Sequence, residues 1–227
     1  EHVSIHFIPE QMNKGKYILV NGTFVPTEEY QICLADSEAL QFSEKIRAIR
    51  SSFPFFSETL DLVKFKLSLY NRSFTEFTDN DGATLKRQLE RTLTKNKHFL
   101  GAVLILTIRF TGQKVYFTIQ SETTDPIGFE LNEKGLYVEI FDLIRKSTST
   151  LSNLSIGSEI YWEIAANYLK ESSVDEFLLI NSFDQIIETP ESNIYLIKGK
   201  SVRGASSKQG AYQDITKLIM LDIFSRL

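Results

Sequence analysis

Glu188-Thr-Pro-Glu-Ser-Asn-Ile-Tyr195 is a polar stretch between two short apolar runs near the C-terminal end of the sequence. The runs at 185–187 and 193–197 are rich in isoleucine and predict two β-strands, and the Thr-Pro step between them predicts a tight turn. Taken alone, a glutamate directly before such a turn is expected to be exposed to solvent. Whether Glu188 has a chemical role therefore depends on the elements around the turn.

Strands and helices alternate on both sides of this stretch. Apolar residues recur at helical spacing from Tyr161 to Leu169, and Ser158 is a candidate N-cap for that helix. The other predicted elements of this half are a strand at 136–141, a polar loop at 146–154, a strand at 177–180 and a final helix at 215–227.

The first half of the chain predicts two β-hairpins and two amphipathic helices. The hairpins lie at 17–25, around Asn21-Gly22, and at 102–120, around Gly112. The helices are marked by apolar residues at Leu60, Val63, Leu67 and Tyr70 and at Leu85, Leu89 and Leu93. Pro126 and Gly128 then interrupt the pattern. We therefore predict an N-terminal α+β sandwich domain at 1–121, a linker at 122–128 and a C-terminal domain at 129–227.

Composition excludes several classes of protein. The chain has 227 residues, 42% of them hydrophobic, and a formal net charge of −4, so no basic excess favours a nucleic-acid partner. No apolar run is long enough for a membrane span and no signal peptide is visible, so we expect a cytoplasmic protein. The single cysteine, Cys33, cannot form an internal disulfide. His2 and His6 alternate with apolar residues as in a strand, so we predict no metal site.

Four stretches of the sequence carry a resemblance to one family. They are Tyr17-Ile-Leu-Val-Asn-Gly-Thr-Phe-Val-Pro26, Asp36-Ser-Glu38, Leu154-Ser-Ile-Gly-Ser-Glu-Ile-Tyr-Trp-Glu-Ile-Ala165 and, most specifically, the stretch from Glu188 to Tyr195. Together they resemble the class IV, fold-type IV, pyridoxal-phosphate enzymes, which include branched-chain and D-amino-acid aminotransferases and 4-amino-4-deoxychorismate lyase. The resemblance covers nearly the whole chain and implies a two-domain α+β fold of that class.

The resemblance also implies where a cofactor would lie. In the family, the glutamate that matches Glu188 faces the pyridine nitrogen of pyridoxal phosphate and keeps it protonated. Asn193 belongs to the same stretch. Ile215 and Thr216 match a helix start whose backbone N–H groups hold the phosphate. These four residues are the cofactor-binding positions that the resemblance gives.

Other positions depart from the family. The reactive lysine, which forms an imine with the cofactor, corresponds to Ser155, and a hydroxyl cannot form that imine. The family's phosphate-binding His-x-x-Arg pattern corresponds to Thr59 and Leu62, which carry no charge. Asp214 replaces a glycine at the phosphate-binding helix start, either as a carboxylate that repels phosphate or simply as a helix N-cap.

We therefore predict a degenerate member of the family that has lost pyridoxal-phosphate catalysis, has no catalytic residue and no cofactor, and retains a binding or structural role. The alternative is an active aminotransferase or aminodeoxychorismate lyase that uses pyridoxal 5'-phosphate, with Lys146 or another lysine as the amine. A third possibility is a small molecule bound without a covalent bond in the old cofactor cleft. The resemblance also implies a homodimer, and a C-terminal domain that is truncated relative to the family.

Overall fold

The computed structural model describes residues 13–30, 40–112, 114–124 and 132–226. The chain divides into two compact units, unit 1 (Glu1–Phe129) and unit 2 (Glu130–Leu227). In the part of the chain that is described, no helix is both long enough and apolar enough to cross a membrane.

The described residues of unit 1 form an antiparallel five-stranded sheet with two helices packed on it. The strand order is β2-β1-β5-β4-β3, and α2 contacts β1 and β5 while α1 contacts β3. The elements are β1 (Tyr17–Val20), β2 (Thr23–Pro26), β3 (Leu40–Ile49), α1 (Phe56–Leu69), α2 (Thr75–Asn96), β4 (Gly101–Thr111) and β5 (Lys114–Thr123). Helix α2 contains a break in helical backbone geometry from Asp79 to Gly82.

The buried residues of unit 1 recur along the sequence with the periods of a strand and of a helix. Along β4, every second residue from Ala102 to Phe110 is buried, which is the period-2 pattern of a sheet with one covered face. The helices contribute Leu60, Val63 and Leu67 from α1 and Leu85, Leu89 and Leu93 from α2 to the same apolar cluster. These six positions predicted from spacing are thus buried, whereas Tyr70 is half-buried and caps the C-terminal end of α1.

Both predicted hairpins of unit 1 are present. Asn21 and Gly22 have positive φ, as the turn between β1 and β2 requires. Strand β5 continues to Thr123. The stretch Asp36-Ser-Glu38, Cys33, His2 and His6 lie outside the described residues. The same holds for residues 125–128 of the predicted linker at 122–128, whose first two residues belong to β5.

Unit 2 contains a three-stranded sheet, a separate hairpin and two helices. Its elements are β6 (Val138–Lys146), α3 (Ser155–Leu169), β7 (Glu176–Asn181), β8 (Ile186–Glu188), β9 (Tyr195–Lys198), β10 (Ser201–Gly204) and α4 (Ile215–Arg226). The sheet order is β6-β7-β8, with β6 parallel and β8 antiparallel to β7, and β9 pairs with β10. Because β6 and β7 are parallel, the chain must cross over between them, and α3 lies on that crossover.

Two local predictions in unit 2 are wrong. Helix α3 begins at Ser155 with Leu154 as its N-cap, four residues earlier than the predicted N-cap Ser158. Ser158 therefore lies inside the helix and donates its hydroxyl to the Ser152 carbonyl oxygen at 2.8 Å. Lys146 is the last residue of β6 rather than the first residue of a loop. The second correction matters for the site, because it fixes where the Lys146 side chain begins.

We predict that the buried ion pair between Lys66 on α1 and Glu44 on β3 makes single substitutions costly. Lys66→Met should lower the free energy of unfolding by about 3–5 kcal/mol, because it leaves the Glu44 carboxylate buried without its cation. The double variant Lys66→Met, Glu44→Leu should recover most of that loss. Urea denaturation followed by circular dichroism measures both, and a double variant as unstable as the single one would contradict the prediction.

Candidate functional site

The turn after β8 places Glu188 opposite Asn193. The Thr189 backbone N–H donates to the Ser192 carbonyl oxygen at 2.9 Å, and the Ser192 N–H donates to the Thr189 hydroxyl at 2.8 Å. Pro190 occupies the second position of this turn, where its fixed φ is favourable. Glu188 and Asn193 then pair as an antiparallel bridge. The predicted tight turn is therefore present.

Glu188 is buried, and both of its carboxylate oxygens accept hydrogen bonds. Its relative exposure is 2%. Oε1 accepts from Lys146 Nζ at 2.5 Å and from the Trp162 indole N–H at 2.9 Å, and Oε2 accepts from the Tyr212 backbone N–H at 2.6 Å. The expectation that a glutamate before this turn is exposed is thus wrong. A carboxylate can be buried here because three donors replace its hydration.

Lys146 reaches Glu188 from the far end of β6 and is 1% exposed. In a regular strand, positions five apart face opposite sides, so Phe141 and Lys146 would not both be buried. The pairing of β6 with β7 shifts register between these two residues, which interrupts the alternation. Burial lowers the pKa of Lys146 below its usual range, although the Glu188 carboxylate acts in the opposite direction.

Two aromatic rings lie beside this ion pair, and one of them, Trp162, contacts the Lys146 ammonium. The Lys146 ammonium lies 5.6 Å from the centre of the Trp162 ring, which is within the range of a cation–π contact. The Tyr212 ring meets Trp162 edge-on, with 4.9 Å between the ring centres. The rings lower the local dielectric constant, so they strengthen the attraction between the two charges.

Asp214 caps helix α4. Its Oδ1 accepts from the Lys217 backbone N–H at 2.6 Å, which is the N-cap to N3 hydrogen bond of a helix start, and its Oδ2 accepts from the Asn193 side-chain amide at 2.8 Å. Ile215 and Thr216 are the first residues of α4, and the Thr216 side chain is exposed. Glu188 pairs with Asn193, and the Asn193 amide donates to Asp214 at the start of α4. These contacts bring together the cofactor-binding positions that the resemblance gives.

Lys217 is a second buried lysine beside this group, with 1% relative exposure. Its Nζ donates to the Tyr212 carbonyl oxygen at 3.4 Å. Burial lowers the pKa of Lys217, while the charges of Glu188 and Asp214 act to raise it.

Ser155 is the first residue of α3 and is 5% exposed. Its hydroxyl has no hydrogen-bond partner among the described residues. Seven residues, about two helical turns, separate Ser155 from Trp162, so the two lie on the same face of α3. The position that the resemblance gives to the reactive lysine thus holds a buried hydroxyl.

These residues do not fit pyridoxal phosphate in the arrangement that the resemblance implies. Glu188 already accepts three hydrogen bonds from the chain, one of them from an ammonium group. The Asp214 carboxylate occupies the α4 start, where the phosphate is expected. Ser155 offers no amine. Among the described residues there is also no group of three or more His, Cys, Asp or Glu side chains that could hold a metal ion.

Solved structures of branched-chain aminotransferases share this fold. The enzyme of Thermoproteus uzoniensis with norvaline superposes with a TM-score of 0.76 and 14% identity over 93% of this chain and 75% of that chain. The Escherichia coli enzyme superposes with a TM-score of 0.75 and 14% identity over 93% of this chain and 74% of that chain. The Thermobaculum terrenum enzyme in its pyridoxal-phosphate form superposes with a TM-score of 0.74 and 13% identity, over 92% of this chain and 73% of that chain.

The sequence itself has no comparable match, since neither a family model nor a curated protein matches it. The chain has the class IV aminotransferase fold that the resemblance implies, and the likeness to these structures extends to the fold alone.

Three residues of the site were not predicted as site residues from the sequence: Trp162, Tyr212 and Lys217. Trp162 was visible only as part of an amphipathic helix, and Tyr212 contributes a backbone N–H that no side-chain pattern reveals. Lys217 follows Ile215 and Thr216 directly, and its position on the first turn of α4 is the one signal that the sequence offered. For Lys146 the sequence predicts a loop position and, in the alternative interpretation, the reactive amine, but not the ion pair with Glu188.

We predict that Glu188→Gln lowers the free energy of unfolding by about 3–5 kcal/mol, because it leaves the Lys146 ammonium buried without a carboxylate. The matched control is Glu171→Gln, at an exposed position, which should change stability by less than about 0.5 kcal/mol. Urea denaturation measures both variants. Equal denaturation midpoints for the two would contradict a buried ion pair.

We also predict that the protein becomes more stable as the pH rises toward the ordinary lysine pKa of 10.5. The pKa values of Lys146 and Lys217 are lowered in the folded state, so in this range the unfolded chain binds more protons than the folded chain. Stability is therefore gained as pH rises through the lowered pKa values, and it is lost again as pH falls through them. Lys217→Met should reduce the slope of unfolding free energy against pH, and an unchanged slope would contradict the prediction.

Proposed function

We propose that this chain is a class IV aminotransferase-like protein that has lost pyridoxal-phosphate catalysis and retains a binding or structural role. The observation that carries this proposal is the 2.5 Å ion pair between Lys146 and Glu188. The resemblance assigns Glu188 to a protonated pyridine nitrogen, and Lys146 supplies the chain's own cation at the carboxylate.

Replacing Lys146 at Glu188 by a cofactor would be unfavourable. A pyridinium group at Glu188 would require the Lys146 ammonium to leave its carboxylate. At 1% exposure the ammonium has little access to water, so it would remain a buried charge without a partner. The ion pair therefore supports a cleft that no longer takes pyridoxal phosphate.

The chemistry of Ser155 and Asp214 supports the same proposal. A hydroxyl at Ser155 removes both the imine and the amine that later moves a substrate proton. The Asp214 carboxylate would repel a phosphate at the α4 start by roughly 3 kcal/mol, for two unit charges ~5 Å apart at an effective dielectric constant of ~20. That repulsion corresponds to about a hundredfold weaker binding.

One observation favours an active enzyme as the second candidate. Lys146 is a buried amine with a lowered pKa next to Glu188, and amines of this kind form imines in other enzymes. An aminotransferase or aminodeoxychorismate lyase that uses Lys146 would have to release this amine from Glu188 and deprotonate it. The ion pair opposes both steps, since it stabilises the charged form.

Absorbance spectroscopy with borohydride trapping separates the two candidates. We expect the purified chain, incubated with pyridoxal phosphate, to show no imine absorbance, and borohydride reduction to leave no adduct at a defined lysine. The matched variants are Lys146→Met and, at an exposed position, Lys170→Met. An adduct mapped to Lys146 that disappears in Lys146→Met but persists in Lys170→Met would overturn the loss of catalysis.

We further propose that the chain forms a homodimer, as the resemblance implies. Several large apolar side chains of unit 2, such as Leu196 and Ile197 on β9, are well exposed, and association would remove such surface from water. Light scattering would then give twice the 26.0 kDa mass of the chain.

A further inference from the structure

Strands β9 and β10 form a two-stranded ribbon at 195–204, and no other strand of the described residues pairs with it. Neighbouring side chains of a strand point to opposite faces, and Leu196 and Ile197 on β9 are 62% and 70% exposed. The Tyr195 ring packs on Phe224 of α4, but apolar surface remains in water on both faces of the ribbon. A two-stranded ribbon is marginally stable unless further structure packs on it.

Strand β6 is an edge strand of the three-stranded sheet. It pairs with β7 on one side, and no strand of the described residues pairs with its other side. Ile140 and Leu143 on β6 are 53% and 56% exposed. An edge strand with unpaired backbone groups and exposed apolar side chains is a place where another strand can add to a sheet.

The β9–β10 ribbon is basic. It contains Lys198, Lys200 and Arg203, all of them exposed, and no acidic residue. No carboxylate of the described residues forms a salt bridge with any of the three. Since like charges repel across paired strands, a second ribbon is an unfavourable partner, and an acidic strand is a favourable one.

The exposed charges of β6 are mainly acidic. Glu139 and Asp142 are exposed and form no salt bridge with a described residue. The hydroxyl of Tyr137 donates to Glu139 at 2.9 Å, which leaves the negative charge of the carboxylate uncompensated. Arg145 is already paired with Asp184 at 2.7 Å. The free edge of β6 therefore complements the ribbon in charge as well as in apolar surface.

We propose that the β9–β10 ribbon of one chain adds to the free edge of β6 in a second copy of the chain, and that the second copy's ribbon adds to β6 of the first. Two ribbons, or two β6 strands, would bring like charges together, whereas this arrangement joins opposite charges in both contacts. The exchange is reciprocal, so two-fold symmetry closes it as a dimer. The inference rests on the proposed homodimer and deepens it, because it names the contacting surfaces.

Charge reversal on each surface tests the interface. Lys198→Glu with Lys200→Glu places carboxylates against β6, and Glu139→Lys with Asp142→Lys places ammonium groups against the ribbon. Each double variant should raise the dissociation constant of the dimer about 10- to 100-fold, because like charges then face each other in both contacts. Analytical ultracentrifugation of the full chain measures this constant, and a wild-type value in either double variant would overturn the proposal.

An equimolar mixture of the two double variants provides the second measurement. In a mixed dimer the acidic ribbon meets the basic β6 and the basic ribbon meets the acidic β6, so both contacts again join opposite charges. The mixture should therefore dimerise with about wild-type affinity, a recovery that misfolded chains would not show. A mixture that associates as weakly as each double variant alone would overturn the proposal.

The matched control is Lys64→Glu with Lys86→Glu, at exposed positions of unit 1. It changes the net charge of the chain as much as the ribbon variant does, and it should leave the dissociation constant unchanged. Equal weakening in the control and in the ribbon variant would mean that net charge rather than a contact at the ribbon sets the affinity, which contradicts the interface.

The outcomes separate this inference from the proposed function. A wild-type chain that stays monomeric contradicts the homodimer and the interface together, whereas a dimer that both charge reversals leave intact contradicts the interface alone. Assemblies that lengthen with concentration contradict the reciprocal, closed exchange. An imine at a defined lysine contradicts the loss of catalysis and leaves the interface as it is.

Discussion

The polar interior of unit 2 depends on the buried ion pair between Lys146 and Glu188. Lys146 ends β6 and Glu188 ends β8, the two outer strands of the three-stranded sheet. The same carboxylate accepts from Trp162 on α3 and from the Tyr212 backbone shortly before α4. One side chain therefore connects the sheet with both helical regions. Because its partners come from three parts of the chain, its substitution would affect all of them together.

Local patterns in the sequence were sufficient to predict much of the fold. Asn21-Gly22 predicted the first hairpin, because both residues accept the positive φ that its turn requires. The spacing of apolar residues predicted the buried faces of α1 and α2. Thr189-Pro190 gave the turn that follows Glu188. Each of these features depends on interactions within a few residues, so the sequence shows them directly. The overall class IV arrangement came from the resemblance instead, because the pairing of distant strands has no local signal.

The site was predicted less completely, for a physical reason. Ser155 and Asp214 are visible in the sequence, because the resemblance places them where the family has a lysine and a glycine. The partner of Glu188 is not visible, because Lys146 is buried through a register shift between β6 and β7. Such an irregularity depends on tertiary packing. The fold is that of the class IV aminotransferases, but the groups inside unit 2 have to be considered by themselves, because likeness of fold alone does not give function.

A crystal structure of the protein grown with pyridoxal phosphate tests the central claim most directly. We predict that the Lys146 ammonium remains hydrogen-bonded to the Glu188 carboxylate and that no cofactor ring lies between Ser155 and Glu188. A pyridoxal-phosphate ring in that position, with its nitrogen on Glu188 and Lys146 moved away, would contradict the account.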